Sequence, residues 1–339
     1  MERLGKFLAK AGIDAFLLLL ILAVFLAYLK PEIGSGKGVF SLSAIANYGI
    51  SFIFFFYGLK LNREKLHAGL SNWKLHILIH VTTFILFPVL IWFIRPLFTG
   101  EETILWLGIF YLAVLPSTVS SSVVMVSIAN GNIPAAIFNA SISSLAGVFI
   151  TPLWMSLVLS GTNGYDFSHL WGIISKLILQ ILLPVALGMI LNRKWGYFTE
   201  KHRKGLQRFD QAIILLIVYT SFCTSFADHV FEDFSASGIL WCALGMVLLF
   251  FVVYFIVTLI ARILKLNRED TITAQFCGSK KSLVHGTAMS KVIFTGYSSV
   301  GIILLPIMLY HALQLMIVSA IAYRKSKNEQ STHPHHTGG

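Results

Sequence analysis

Two lysines stand side by side in an otherwise apolar stretch, Phe276-Cys277-Gly278-Ser279-Lys280-Lys281-Ser282. A lysine left uncompensated at mid-depth in a bilayer costs roughly 2.5 to 3.5 kcal/mol on insertion scales, so at least one of the two ammonium groups must face something anionic or strongly dipolar. No acidic residue lies deep in an apolar run: Asp14, Asp210 and Asp228 all fall near the ends of such runs. Helix C-terminal carbonyls, side-chain oxygens and an anionic substrate remain as partners, and substrate or carbonyl contact is expected of Lys280. A second polar island, Pro116-Ser117-Thr118-Val119-Ser120-Ser121-Ser122, interrupts a different apolar stretch. Asn139 and Ser143 follow at i, i+4 with Ser144 adjacent; their oxygens suit a hard cation, a hydrogen-bonded anion or a helix contact alike. His311 and Gln314 share a face about one turn beyond Pro306, as a proton relay or as packed hydrogen-bond partners.

The elements that must position these groups are membrane spans. Of the 339 residues, 56% are hydrophobic and 12% charged, a composition that excludes a water-soluble globule. About 20 apolar residues cross a bilayer, which leaves room for about ten helices and no soluble catalytic domain. Apolar windows predict spans at 12–29, 39–60, 73–95, 103–128, 132–160, 168–192, 208–231, 236–263, 270–294 and 297–322. With the N-terminus inside, 19 of the 26 Lys and Arg fall on the cytoplasmic side, four on the other side and three within spans, as the positive-inside rule requires. Both termini are thus expected in the cytoplasm, in a multi-pass protein of the cell membrane.

The net charge of +11 is spread between apolar runs rather than gathered on one face, which argues against nucleic acid as a partner and leaves membrane lipids. Cys223, Cys242 and Cys277 lie within apolar segments and read as core residues. There is no zinc-protease helix motif, no paired intramembrane aspartates and no phosphate-cradling loop, so no catalytic residue and no enzyme is expected. A Ser-Lys hydrolase built on Ser121 and Lys280 lacks an orienting group.

Five spans per half make the second half start on the opposite side of the membrane, as an inverted repeat requires. Features recur accordingly: the island around Val119 answers to that around Lys280, and Pro152 answers to Pro306. The expected organisation is an N-terminal cytoplasmic segment at 1–11, five-helix repeats at 12–160 and 161–323, and a disordered cytoplasmic tail at 324–339. Backbone groups freed in hydrocarbon persist only where protein or a water-lined cavity satisfies them, so paired breaks in spans four and nine point to a polar site between the repeats. Serines capping a proline kink, with Gly278 serving helix packing, are the plainer alternative.

The run Ala129-Asn130-Gly131-Asn132-Ile133-Pro134-Ala135-Ala136-Ile137-Phe138-Asn139, continuing through Gly147 to Thr151-Pro152, resembles the span four to five signature of the bile acid:sodium symporter superfamily. Phe276 to Ser282 is similar to the branch typified by solute carrier family 10 member seven and its bacterial relatives. The resemblance covers about residues 10 to 323. It implies an all-α membrane protein of ten helices, with panel and core domains, discontinuous helices four and nine crossing at mid-membrane, and sodium-driven alternating access. Position by position it places Ser121 and Ser122 where the bile-acid branch has a Ser-Asn pair, Thr83 at a Gln, and Ala136 and Ala140 at a Ser and a Thr, with Asn139 and Ser143 beside them. The Glu shared by two sodium sites aligns with Phe276, or with Gln275 or Cys277 if the alignment slips by one, and the Gln beyond its Gly aligns with Lys280.

Sodium at Ser121, Ser122, Asn139 and Ser143 is what remains of the ion sites, and losing a carboxylate while gaining an ammonium opposes it. Lys280 is expected to stand in for at least one sodium while the protein carries a small organic anion. The expected binding set is Thr83, Thr118, Ser120, Ser121, Ser122, Asn139, Ser143, Gln275, Gly278, Ser279, Lys280, Lys281, Ser282, His311 and Gln314. The other reading that the resemblance allows is a regulatory membrane protein of the same fold, acting in calcium or envelope homeostasis without turnover.

Overall fold

The computed structural model describes residues 15–35, 42–60, 72–100, 102–163, 171–172, 175–176, 178–232 and 236–332, and among these it is helical without a strand. In chain order the helices are α1 (Ala15–Leu29), α2 (Pro31–Ser35), α3 (Leu42–Lys60), α4 (Trp73–Val81), α5 (Phe87–Phe93), α6 (Glu102–Val114), α7 (Ser120–Ile128) and α8 (Ile133–Asn163). They continue with α9 (Leu183–Lys201), α10 (Arg203–Ala227), α11 (Ala236–Ile263), α12 (Arg268–Gly278), α13 (Leu283–Ile293) and α14 (Val300–Thr332). Seven runs are long and apolar enough to cross a membrane: Leu42–Lys60, Trp73–Leu97, Ile133–Leu159, Ile178–Lys201, Arg203–Ala227, Ser237–Ile263 and Val300–Lys327. The chain is an integral membrane protein.

Two expected spans are broken. Span four divides into α6 and α7, and span nine into α12 and α13, at the two polar islands. Two others run further than expected. α9 continues through Arg193 and Lys194 to Lys201, and α14 passes residue 323 to reach Thr332, so residues 324–332 are helical rather than a disordered tail. Arg324 to Thr332 contains neither Gly nor Pro, and a helix already nucleated by its apolar stem propagates through such residues at little cost. The expected segments at 1–11 and 333–339 lie outside the described residues.

Prolines decide where helices exchange partners. A π-helical turn, Thr82–Leu86, links α4 to α5, and the Phe87 amide bonds back to the Thr82 carbonyl. Pro88 has no amide to offer the carbonyls of Thr83 and Phe84 one turn earlier. Trp154 Nε1 of α8 fills the second at 3.0 Å, and the first is taken up at the site described below. Pro184 frees the Gln180 carbonyl in the same way, and Ser51 Oγ of α3 donates to it at 3.3 Å.

α1, α3, α9 and α10 pack on one another. α3 and α9 lie parallel: Ser51 meets Gln180, and further along both runs Asn192 Nδ2 donates to the Leu59 carbonyl at 2.6 Å. Their backbones touch where Gly58 faces the Val185 carbonyl and Gly188 faces that of Phe55. At the far end of α3, Lys60 pairs with Asp210 of α10 at 3.1 Å.

Candidate functional site at the helix breaks

The breaks meet, and each supplies what the other lacks. A helix end leaves its last carbonyls without intrahelical partners, and in hydrocarbon each must find one. At the C-terminal end of α6 and just beyond it, Lys281 Nζ donates to the Ala113 and Leu115 carbonyls at 2.6 and 2.9 Å, Thr151 Oγ1 to Val114 at 2.7 Å, and the Ser282 amide to Pro116 at 2.9 Å. In the last turn of α12, Ser117 Oγ donates to the Cys277 carbonyl at 2.6 Å and Ser122 Oγ to that of Phe276 at 3.5 Å, while Ser279 Oγ closes on that of Gln275 at 2.6 Å. Tyr310 of α14 donates to the Ser279 carbonyl at 2.6 Å. Gln314 brackets Lys281, its Oε1 accepting from the Lys281 amide and its Nε2 donating to the Lys281 carbonyl, both at 2.9 Å.

The two lysines part company here. Lys281 Nζ has a third carbonyl, that of Thr83 at 2.7 Å, and lies 4.1 Å from the centre of the Phe87 ring. Lys280 Nζ instead donates to Ser121 Oγ at 2.8 Å. Ser121 Oγ donates in turn to Thr118 Oγ1 at 3.0 Å, and Thr118 Oγ1 is 2.8 Å from Ser122 Oγ. Both lysines are buried, and neither has an ion pair among the described residues. The carbonyl contact expected of Lys280 therefore belongs to Lys281. Sequence gives no means of assigning it, because the break has no helical period to say which way each residue of a pair projects.

Ser121 lies in the first turn of α7, and the Val123 amide is the first there to bond back within the helix, to Val119. The Lys280 ammonium thus reaches a hydroxyl carried on the first turn, the positive end, of α7.

Most of the expected binding set gathers at this crossing: Thr118, Ser279, Lys280, Lys281 and Ser282 lie in the breaks, Ser121 and Ser122 in the first turn of α7, and Gly278 at the end of α12. Ser143 joins through its Oγ, which accepts from the Ser117 amide at 2.9 Å. Thr83 joins by its carbonyl, its hydroxyl turning back to Ile79. His311 Nδ1 lies 3.1 Å from Gln314 Nε2. Two residues point elsewhere: Asn139 bonds to His76 and to the Ala135 carbonyl, and Gln275 Nε2 reaches Thr258 of α11. Of Ser120 only the helical backbone is described. Ser117, Tyr310 and Ala113 were not expected in the set. Ser117 stood inside the polar island, but a backbone carbonyl leaves no mark on the side-chain pattern.

Long apolar helices interrupted by two facing breaks are the architecture of broken-helix membrane transporters. Residues 14–327 match the model of the SBF-like CPA transporter family, and the chain belongs to it, within the bile acid:sodium symporter superfamily. It is similar to an uncharacterised protein of Pseudomonas aeruginosa, 39% identical over 93% of each chain. YfeH of Escherichia coli, named as a symporter, is 36% identical over 94% of this chain and 95% of its own. Sodium/bile acid cotransporter 7 of Rattus norvegicus is 29% identical over 93% of both.

Proposed function

We propose that this transporter is a secondary carrier that moves a small organic anion by alternating access, binding it at Lys280 and the start of α7. The observation that carries this reading is a buried ammonium held by one hydroxyl, at a helix N-terminus, with no carboxylate beside it. A carboxylate or sulfonate would complete that site, accepting from Lys280 and from the first amides of α7. In this reading the two broken runs and α1 join the seven long helices as ten spans in two inverted repeats. α1, α3, α9 and α10 form the panel against which the rest moves.

Sodium coupling loses its support where the resemblance puts Phe276 at the shared sodium-site Glu. Ser121 and Ser122 both bond to Thr118, whereas Ser143 accepts from the Ser117 amide and Asn139 turns to His76, an arrangement that argues against one ion shared by all four. The test is thermal stability of the purified protein against a panel of small carboxylates and sulfonates, in sodium and in potassium buffers, followed by uptake into vesicles. At least one anion should raise the melting temperature in both buffers, and Lys280→Met should abolish that response. Sodium-dependent uptake that survives Lys280→Met would overturn the proposal, and a complete lack of anion response would favour a non-transporting role.

A further inference from the structure

The surroundings of Lys281 are those of a cation site. Three backbone carbonyls, Thr83, Ala113 and Leu115, converge on its Nζ at 2.7, 2.6 and 2.9 Å, and the face of Phe87 closes a fourth side at 4.1 Å. All three oxygens are free for reasons written in the chain: Pro88 removes the amide that would pair Thr83, and α6 stops at Val114 ahead of Pro116. The Ser117 amide, the natural partner of the Ala113 carbonyl one turn on, is committed to Ser143 Oγ. Carbonyl dipoles arranged around one point, with an aromatic face beside them, replace the hydration shell of a monovalent cation.

We infer that this cage is a monovalent-cation site whose permanent occupant is the protein's own ammonium, tethered through Lys281. The fold would then hold together at the crossing without recruiting an ion from solution. Lys280 differs in kind: among the described residues its Nζ makes one bond, to a hydroxyl, which leaves its other protons for a ligand. The inference is independent of the transport reading, since unfolding reports it and no substrate is involved.

The wild-type protein should melt at the same temperature in sodium, potassium, ammonium and choline chloride at equal ionic strength. Lys281→Ala removes the cation and three methylenes, so it should melt several degrees lower and become selective among salts. n-Propylammonium, which restores the missing atoms, should return roughly half or more of the lost shift by mass action. Ammonium and potassium, close to the lysine head in size, should return less, and choline none. Lys281→Met keeps the stem, so it should fold, melt below wild type and gain nothing from any of these cations, because its own side chain blocks the cage. A wild-type shift specific to one small cation overturns the inference, as does Lys281→Ala melting like wild type or being rescued as well by choline. If Lys281→Ala cannot be recovered folded, the wild-type and Lys281→Met arms decide: a cation-indifferent wild type with a destabilised, unresponsive Lys281→Met supports the cage, and a Lys281→Met protein as stable as wild type overturns it.

Discussion

Asp270 shows how much one side chain can organise in this molecule. Its carboxylate is buried and accepts from Asn72 Nδ2 and Asn132 Nδ2, both at 2.8 Å, while its amide donates to Asn267 Oδ1 at 2.7 Å. Each of the three asparagines also caps a helix: Asn72 takes the Leu75 amide of α4, Asn132 the Ala135 amide of α8, and Asn267 opens α12. Three positive helix ends thus surround one negative group. Asp270→Asn puts an amide nitrogen against one of the two donors, so it should lose about 1.5–3 kcal/mol, read as a lower melting temperature in detergent. An unchanged midpoint would mean that the caps hold without the charge. Nothing in the pattern announced this cluster, since an acidic residue at the edge of an apolar run reads as solvated. The lysine pair was legible as a site because burial of ammonium in hydrocarbon is costly wherever it occurs. What it touches was not, because carbonyl acceptors are freed by helix ends whose positions depend on the other half of the chain.

At the scale of helices, the polar islands were readable as interruptions because proline and clustered serines break an otherwise apolar run, and both breaks fall there. The lengths of α9 and α14 were harder to read: charge marks a membrane boundary, and a helix can cross that boundary and continue in water. The close approach of α3 and α9 is set by two glycines. A Cβ on Gly58 would overlap the Val185 carbonyl, and one on Gly188 that of Phe55, both backbone atoms that cannot rotate away. Either glycine changed to alanine should cost about 1–3 kcal/mol by forcing the helices apart. The double variant should cost less than the two losses added, because the first substitution already opens the crossing that the second would strain. Strict additivity would show that the two contacts are separate, and a chemical denaturation series on the four proteins measures it.

For the whole molecule the open quantity is which way it sits in the membrane, and the structure and the charge pattern bear on it independently. α3 and α9 run parallel, and both end in basic residues, Lys60 for one and Arg193, Lys194 and Lys201 for the other. α10 begins beside the end of α3, where Asp210 meets Lys60, and ends near Tyr28 at the end of α1, whose ring packs on Phe226. Helix directions fixed by contacts therefore bring the ends of α3 and α9 and the start of α10 to one face, and these carry a large share of the lysine and arginine that the positive-inside rule assigns to the cytoplasm. Reporter fusions in a bacterial host turn that agreement into a measurement. Alkaline phosphatase folds only where its disulfides form, so it should be active when fused after Gly100 or Asp228 and inactive after Lys65, Lys265 or Thr332. A fluorescent protein at the same five points should give the opposite pattern. Phosphatase activity after both Lys265 and Thr332, with none after Gly100, would invert the molecule and reverse the side from which the proposed anion would reach Lys280. A mixed pattern would mean that one of the broken runs does not complete its crossing, and the ten-span reading would fall with it.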